Sequence, residues 1–153
     1  MPEPVELYRQ ATARAVEIAE GVEPAQLDLP TPCREWTVQD LLDHMVGGTE
    51  YLLAAMDGRA PEPPLATVAG DYRRGVDAVL AGLARPGALE LTCMSPLGFE
   101  WPVRQAVAGT FMDALVHTWD LARATGQDDT MDPALAEACI ALFLPDMPEQ
   151  GRA

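Results

Sequence analysis

From Pro102 to Gly126 the chain runs without an internal proline, and Val103, Val107, Phe111, Ala114, Leu115 and Ala122 recur at helical spacings. Residues three, four and seven apart share one face of an α-helix. Proline suits the first turn of a helix and glycine suits the position just past its end, so the segment carries both of its boundaries. A helix of some six turns hides such a stripe against other helices, and this single segment commits much of the chain to a helical bundle.

The other segments supply the partners. Tyr8, Ala11, Ala15, Ile18 and Val22 form one stripe, closed by Gly21 and Pro24. Thr37 opens a second helix. Its hydroxyl is placed to accept the Asp40 N–H while Asp40 reaches back, and Trp36 is placed to staple onto Leu41. Val38, Leu41, Leu42, Met45, Leu52 and Met56 would be buried along it, with His44 at the edge of the stripe. Gly47-Gly48 inside this helix costs about 1 kcal/mol per glycine against alanine, a cost that close approach of a helix or ligand would offset. After the loop Gly58–Pro64, a third stripe runs through Leu65, Val68, Tyr72, Val76, Val79 and Leu83. Leu89–Trp101 changes character. Its β-branched and aromatic residues flank the turn signal Ser95-Pro96-Leu97-Gly98, which predicts a hairpin-like crossover. A short helix follows Asp132-Pro133 and stops before Pro145. The expected helices are therefore 4–22, 37–56, 65–84, 102–125 and 133–144. Together they make an all-α four-helix bundle with a long crossover and a short fifth helix, one domain over residues 1–153.

Composition narrows the function. The net charge of −14, with only ten basic residues spread along the chain, argues against nucleic acid as a partner. No apolar run approaches the roughly 18 residues of a membrane span. The acidic start MPEPVELYRQ lacks a basic-then-apolar leader, so a cytoplasmic protein without membrane partners is expected. Many carboxylates, among them Glu6, Glu17, Asp77 and Glu137, fall on outer helix faces as a solvated surface requires. Cys33, Cys93 and Cys139 are odd in number and far apart, which reads as free thiols and not as a disulfide framework.

His44 and His117 are the only two histidines, and Asp113 lies one helical turn before His117. A carboxylate oxygen and an imidazole nitrogen so spaced converge beside the helix. If the His44 helix packs on that face, three ligands meet and at least one coordination position stays open. Such N/O donors hold zinc at about 2.0–2.2 Å. The bland alternative for each residue taken alone is a half-buried structural histidine or a surface carboxylate. Asp120 is either a ligand, an acceptor for an imidazole N–H, or (the commoner arrangement) a partner for Arg123 or Arg104. Cys33 would supply a thiolate only if the helix start folds toward the site. Trp36, Trp101 and Trp119 read as core or pocket walls, and Tyr51 and Thr110 as residues able to line a pocket.

Two stretches carry a family likeness. TPCREWTVQDLLDHMVGG (Thr31 to Gly48) and DALVHTWDLARATGQ (Asp113 to Gln127) resemble the signature segments of actinobacterial DinB-like metalloenzymes. More narrowly they resemble the metal-binding domain of mycothiol-dependent maleylpyruvate isomerase. The resemblance implies a DinB-like four-helix bundle holding a divalent metal, zinc by default with Ni2+ or Fe2+ as alternatives, through His44, Asp113 and His117. It also implies a low-molecular-weight thiol such as mycothiol as co-substrate and a small-molecule electrophile as its partner. The likeness covers the metal-binding domain and not the further C-terminal domain that contributes to isomerase catalysis, so isomerisation of maleylpyruvate is not the expected activity.

Two functions follow. One is a metal-dependent transferase or isomerase that uses the thiol. The other is a non-catalytic metal-binding or interaction module, a homodimer with a structural or vestigial metal. An open coordination position in a concave pocket favours the first, and a fourth protein ligand favours the second.

Overall fold

A computed structural model describes residues 3–63, 66–68 and 70–143. Five helices account for most of it: α1 Pro4–Glu20, α2 Val38–Asp57, α3 Asp71–Leu83, α4 Val103–Thr125 and α5 Pro133–Phe143. Two short strands, β1 Thr92–Met94 and β2 Glu100–Pro102, sit between α3 and α4 and pair antiparallel with Cys93 opposite Trp101. They are the expected crossover hairpin, turned at Gly98 with φ of 91°. α1 packs chiefly on α4, and α2 packs on both α3 and α4, which makes the four-helix arrangement the apolar stripes require.

The helix boundaries follow the local chemistry. Thr37 caps α2: its hydroxyl accepts from Asp40 N–H at 3.2 Å, and the Asp40 carboxylate accepts the Thr37 N–H at 3.0 Å. Gly58 and Gly126 close α2 and α4 in the left-handed conformation, φ 68° at each, which costs a Cβ-bearing residue far more than glycine. α1 ends differently. Gly21 has ordinary right-handed backbone, φ −79°, and what excludes a side chain there is Gln127, against which a Cβ would collide.

The third helix departs from expectation. It begins at Asp71, six residues after the expected start; Leu65 lies outside the described residues, and Val68 is 63% exposed and belongs to no core stripe. Gly70 stands at φ 87° and breaks the helical run, and the Asp71 carboxylate accepts the N–H of Val68 at 2.8 Å to seal the new start. Just upstream, Thr67 N–H donates to Asp43 of α2 at 2.8 Å, so this connection is tied to α2. Backbone-to-carboxylate bonds outbid the apolar period here.

Buried side chains form two clusters. One gathers Leu7, Tyr8, Leu52, Val79, Val107 and Phe111; the other gathers Ile18, Val38, Leu41, Met45, Val76 and Leu121. Along α4 the first cluster ends at Leu115 and the second starts at Leu121, and positions 116–120 feed neither. His117 and Asp120 lie in that gap.

Gly75 sets how closely α3 approaches α2. A Cβ there would lie 2.8 Å from the Cβ of Thr49, which is buried and hydrogen-bonded to Val46 C=O. Gly75→Ala gains about 1 kcal/mol of helix propensity but must push α3 off α2, an overpacking cost of about 1–3 kcal/mol. We expect a net loss of stability in urea denaturation. An increase would show that Thr49 moves aside freely.

Candidate metal centre

α2 and α4 together present the three residues singled out in the sequence. His44 Nε2 lies 2.9 Å from Asp113 Oδ2, and His117 Nε2 lies 3.3 Å from Asp113 Oδ1. One nitrogen or oxygen from each of the three falls within 4.8 Å of the others. The imidazoles stand edge to face, 4.8 Å between centroids at 77°. The spacing suits an ion. Ligands about 2.1 Å from a tetrahedral centre lie about 3.4 Å from one another; the two imidazoles approach different oxygens of Asp113, so holding one ion through a single oxygen needs a rearrangement within the 4.8 Å cluster. Two imidazole nitrogens and one carboxylate oxygen are donors that zinc, nickel and iron(II) all accept.

The second nitrogen of His117 is occupied. Nδ1 lies 3.0 Å from Asp120 Oδ2, and Asp120 is only 6% exposed. An Nδ1–H donated to that carboxylate leaves Nε2 as the nitrogen that faces Asp113, donating to it when the ring is protonated and free to take an ion when the ring is neutral. Asp120 is therefore the imidazole acceptor, and its expected pairing with Arg123 or Arg104 does not occur. Arg123 pairs with Asp129, and Arg104 with Glu3 and Glu90. The signal was the three-residue spacing from His117, which puts both side chains on adjacent rows of one helix.

Cys33 does fold toward the site, on the Asp120 side. Thr31 makes a tight turn with it: its hydroxyl accepts the Cys33 N–H at 3.1 Å, and Trp36 N–H donates to Cys33 C=O at 2.9 Å. Cys33 Sγ donates to Asp120 Oδ2 at 3.3 Å and lies 3.9 Å from His117 Nδ1, the nitrogen turned away from Asp113. Burial and the Asp120 carboxylate raise the thiol pKa, so it stays protonated. The same turn lays Trp36 against both imidazoles, with centroids 4.7 Å from His44 and 5.7 Å from His117. Trp36 is thus a wall, one of the two roles expected of it, and only the packing shows that it covers the imidazoles.

His44 and Asp113 open onto a cavity of about 1020 Å³. Gly47, Tyr51, Trp101 and Thr110 line it too, so Tyr51 and Thr110 are pocket residues as expected. Tyr51 bridges the hairpin to α2: its hydroxyl donates to Met94 C=O at 2.8 Å and accepts Trp101 Nε1–H at 2.9 Å. Burial pushes the phenol up to about 12, so it is a neutral donor. Trp119 lines a different cavity, of about 670 Å³, with Arg123 stacked 5.5 Å from its ring centroid.

The chain was compared with known proteins. A family model described as the mycothiol maleylpyruvate isomerase N-terminal domain matches residues 8–122. The uncharacterized protein Rv0738 of Mycobacterium tuberculosis is 36% identical over 141 residues, covering 91% of this chain and 76% of that protein, and MT0763 from a second strain of that organism matches equally. Crystal structures of the mycothiol-dependent maleylpyruvate isomerase and of a point mutant of it superpose with TM-scores of 0.61 and 0.67 at 16% and 13% identity. Each superposition covers 92% of this chain and 68% of the solved chain. At that identity the likeness is one of fold.

Charge at the cluster makes a pH prediction for the metal-free protein. Burial opposes the imidazolium of His117, but Asp113 and Asp120 on either side outweigh it and raise its pKa above 6.5. Burial likewise opposes ionisation of Asp113, and the bonds from His117 and His44 outweigh that and hold its carboxyl well below 3.8. The His117 contribution to stability is full below its unfolded value of 6.5 and is lost as pH rises through the raised folded value. The Asp113 contribution is present above its unfolded value of 3.8 and is lost as pH falls through the lowered folded value. Both are therefore in force between pH 3.8 and 6.5. NMR titration of the His117 ring should give a midpoint above 6.5, and Asp120→Asn should lower that midpoint. A midpoint at or below 6.5 would contradict the assigned hydrogen bonds.

Proposed function

The chain belongs to the mycothiol maleylpyruvate isomerase N-terminal domain family, whose model spans most of it. On that premise we propose that it is a divalent-metal-dependent enzyme of the thiol-transferase or isomerase class. The observation that carries the reading is the convergence of His44, Asp113 and His117, the first two at the wall of a cavity large enough for a substrate.

In this reading His44 and His117 supply Nε2 and Asp113 supplies its carboxylate to one ion, zinc by default and nickel or iron(II) as alternatives. A divalent ion held there supplies Lewis acidity that makes a thiol or a water nucleophilic near neutral pH. The protein's own residues do the rest. Asp120 holds the His117 tautomer. Asp113, a carboxylate whose pKa already lies well below its ordinary value, would offset charge on the ion. Trp36 closes one side of the imidazole pair against water. The co-substrate would be a low-molecular-weight thiol, mycothiol by family, and the second substrate a small electrophile admitted through the cavity. Cys33 is not the nucleophile of this scheme, because it is protonated and already donates to Asp120.

The alternative, a metal that only staples the bundle, predicts a different energetic outcome. The core around Val107, Phe111 and Leu121 lies off the cluster, and burying each such side chain stabilises by about 1.5–3 kcal/mol. His117→Ala and Asp113→Asn leave that core intact. We expect both variants to fold, to lose the divalent ion that the unaltered protein retains on elemental analysis, and to lose thiol-dependent turnover of a panel of electrophiles. Their melting temperatures should fall only modestly. A collapse in melting temperature together with no turnover by the unaltered protein would favour the staple. Retention of the ion by His117→Ala would remove His117 from the ligand set.

A further inference from the structure

The walls of the cavity that opens onto His44 and Asp113 determine which substrates it can hold. This inference rests on the catalytic reading above and names the substrate class of the same site. All ten basic residues of the chain are arginines, and none of those among the described residues lines the cavity. Seven of them are engaged elsewhere: Arg9, Arg14, Arg59, Arg73, Arg74, Arg104 and Arg123 each lie within ion-pair distance of surface carboxylates.

The charges that do line the cavity are negative: Asp43, Glu100 and Asp113. Even with a divalent ion in place, three carboxylates exceed its charge. An anionic substrate would enter a negative field with no guanidinium or ammonium among the described lining residues to pair with, and burying an unpaired charge is costly. A cation fares little better. Asp113 is shared between two imidazoles, and Asp43 already accepts from Gln39 Nε2 and Thr67 N–H, each at 2.8 Å. Only Glu100, exposed on β2, remains to pair with a cation.

The rest of the wall is apolar. The hairpin supplies Leu97, Phe99 and Trp101, and α5 supplies Leu142 and Phe143 from its C-terminal end. Leu97 is 85% exposed and Phe99 50%, a large apolar surface left in water beside the cavity. Phe99 stands edge to face on Trp101, 5.7 Å between centroids, and a Cβ at Gly109 would lie 3.3 Å from the Trp101 ring. Trp101 is thereby braced against α4.

We propose that the cavity takes an uncharged, largely apolar substrate, an aromatic or aliphatic electrophile carrying no carboxylate. Desolvating it costs little, and the exposed hairpin residues recover apolar burial when it binds. This sets the chain apart from a protein whose substrate is a dicarboxylate such as maleylpyruvate.

Two fluorescent probes with one skeleton test this: uncharged N-phenyl-1-naphthylamine and its sulfonate, 8-anilinonaphthalene-1-sulfonate. Both are titrated into metal-free and metal-loaded protein and into Gly47→Leu. A Cβ at Gly47 meets nothing within 4 Å, so the leucine grows into the cavity, and leucine is a far better helix former than glycine. The variant should melt no lower than the parent, and only binding lost in it counts as cavity binding. We expect the uncharged probe to bind the cavity at least about tenfold more tightly than the sulfonate, in both metal states, and Gly47→Leu to abolish that binding. Equal or tighter cavity binding of the sulfonate overturns the proposal, as does binding of the uncharged probe that survives Gly47→Leu. A trimethylammonium derivative of the same skeleton binding more tightly than the uncharged probe also overturns it. Because the ranking is read without metal, it stands or falls separately from metal retention and turnover.

Discussion

The close approach of α2 to its neighbours is the constraint on which the rest of the structure depends. Gly75 lets the buried Thr49 of α2 sit where a Cβ would otherwise be. Gly48 brings the backbone of α2 to α4 with only the Thr110 methyl between, 3.6 Å from where a Cβ would stand. With α2 held there, His44 reaches across to Asp113. A shift of one ångström would break that 2.9 Å contact, because hydrogen bonds and coordination bonds both decay over that range. The two glycines of α2 serve different ends. Gly48 lies against α4, while Gly47 faces open space and widens the cavity.

The site itself is a division of labour around one imidazole. His117 has two nitrogens, and each faces a carboxylate from its own helix, Asp113 one turn back and Asp120 nearly one turn on. Asp113 is half exposed and shared with His44, which suits an atom meant to meet an ion or substrate. Asp120 is buried and receives Cys33 as well, which suits an atom meant to hold still. Half-exposed carboxylate–imidazole contacts of this kind contribute on the order of 0–1 kcal/mol in water, much less than the buried apolar clusters above and below them. The apolar clusters therefore hold these half-exposed contacts in place more than the contacts hold the bundle.

Charge and exposure around the cavity carry a consistent message. Seven of the arginines sit on the outside in ion pairs, the carboxylates lining the cavity are already engaged apart from Glu100, and the hairpin brings aromatic and aliphatic surface to it. Family membership brings thiol chemistry with it as an expectation, while the cavity wall bears on the partner of that thiol. The candidate ligands come from α2 and α4, and much of the apolar wall comes from the hairpin and α5.

Periodicity and capping were enough to mark out α1, α2, α4 and α5 within two residues at each end, because apolar spacing and end signals such as Thr37, Gly58 and Gly126 act locally. The meeting of His44 with Asp113 and His117 was legible only with the family likeness, because spacing alone put Asp113 and His117 on one face and left the approach of His44 conditional on packing. The start of α3 was not, because Gly70 and the Asp71 carboxylate overrode an apolar pattern that by itself pointed to Leu65. The roles of Asp120, Cys33 and Trp36 were legible only as alternatives. Those of Cys33 and Trp36 depend on where the turn at Thr31 lands against α4, and that contact joins residues more than eighty positions apart. Spacing along one helix fixes which side chains share a face, whereas which face meets which, and what is left to line the space between, is settled only when the helices pack.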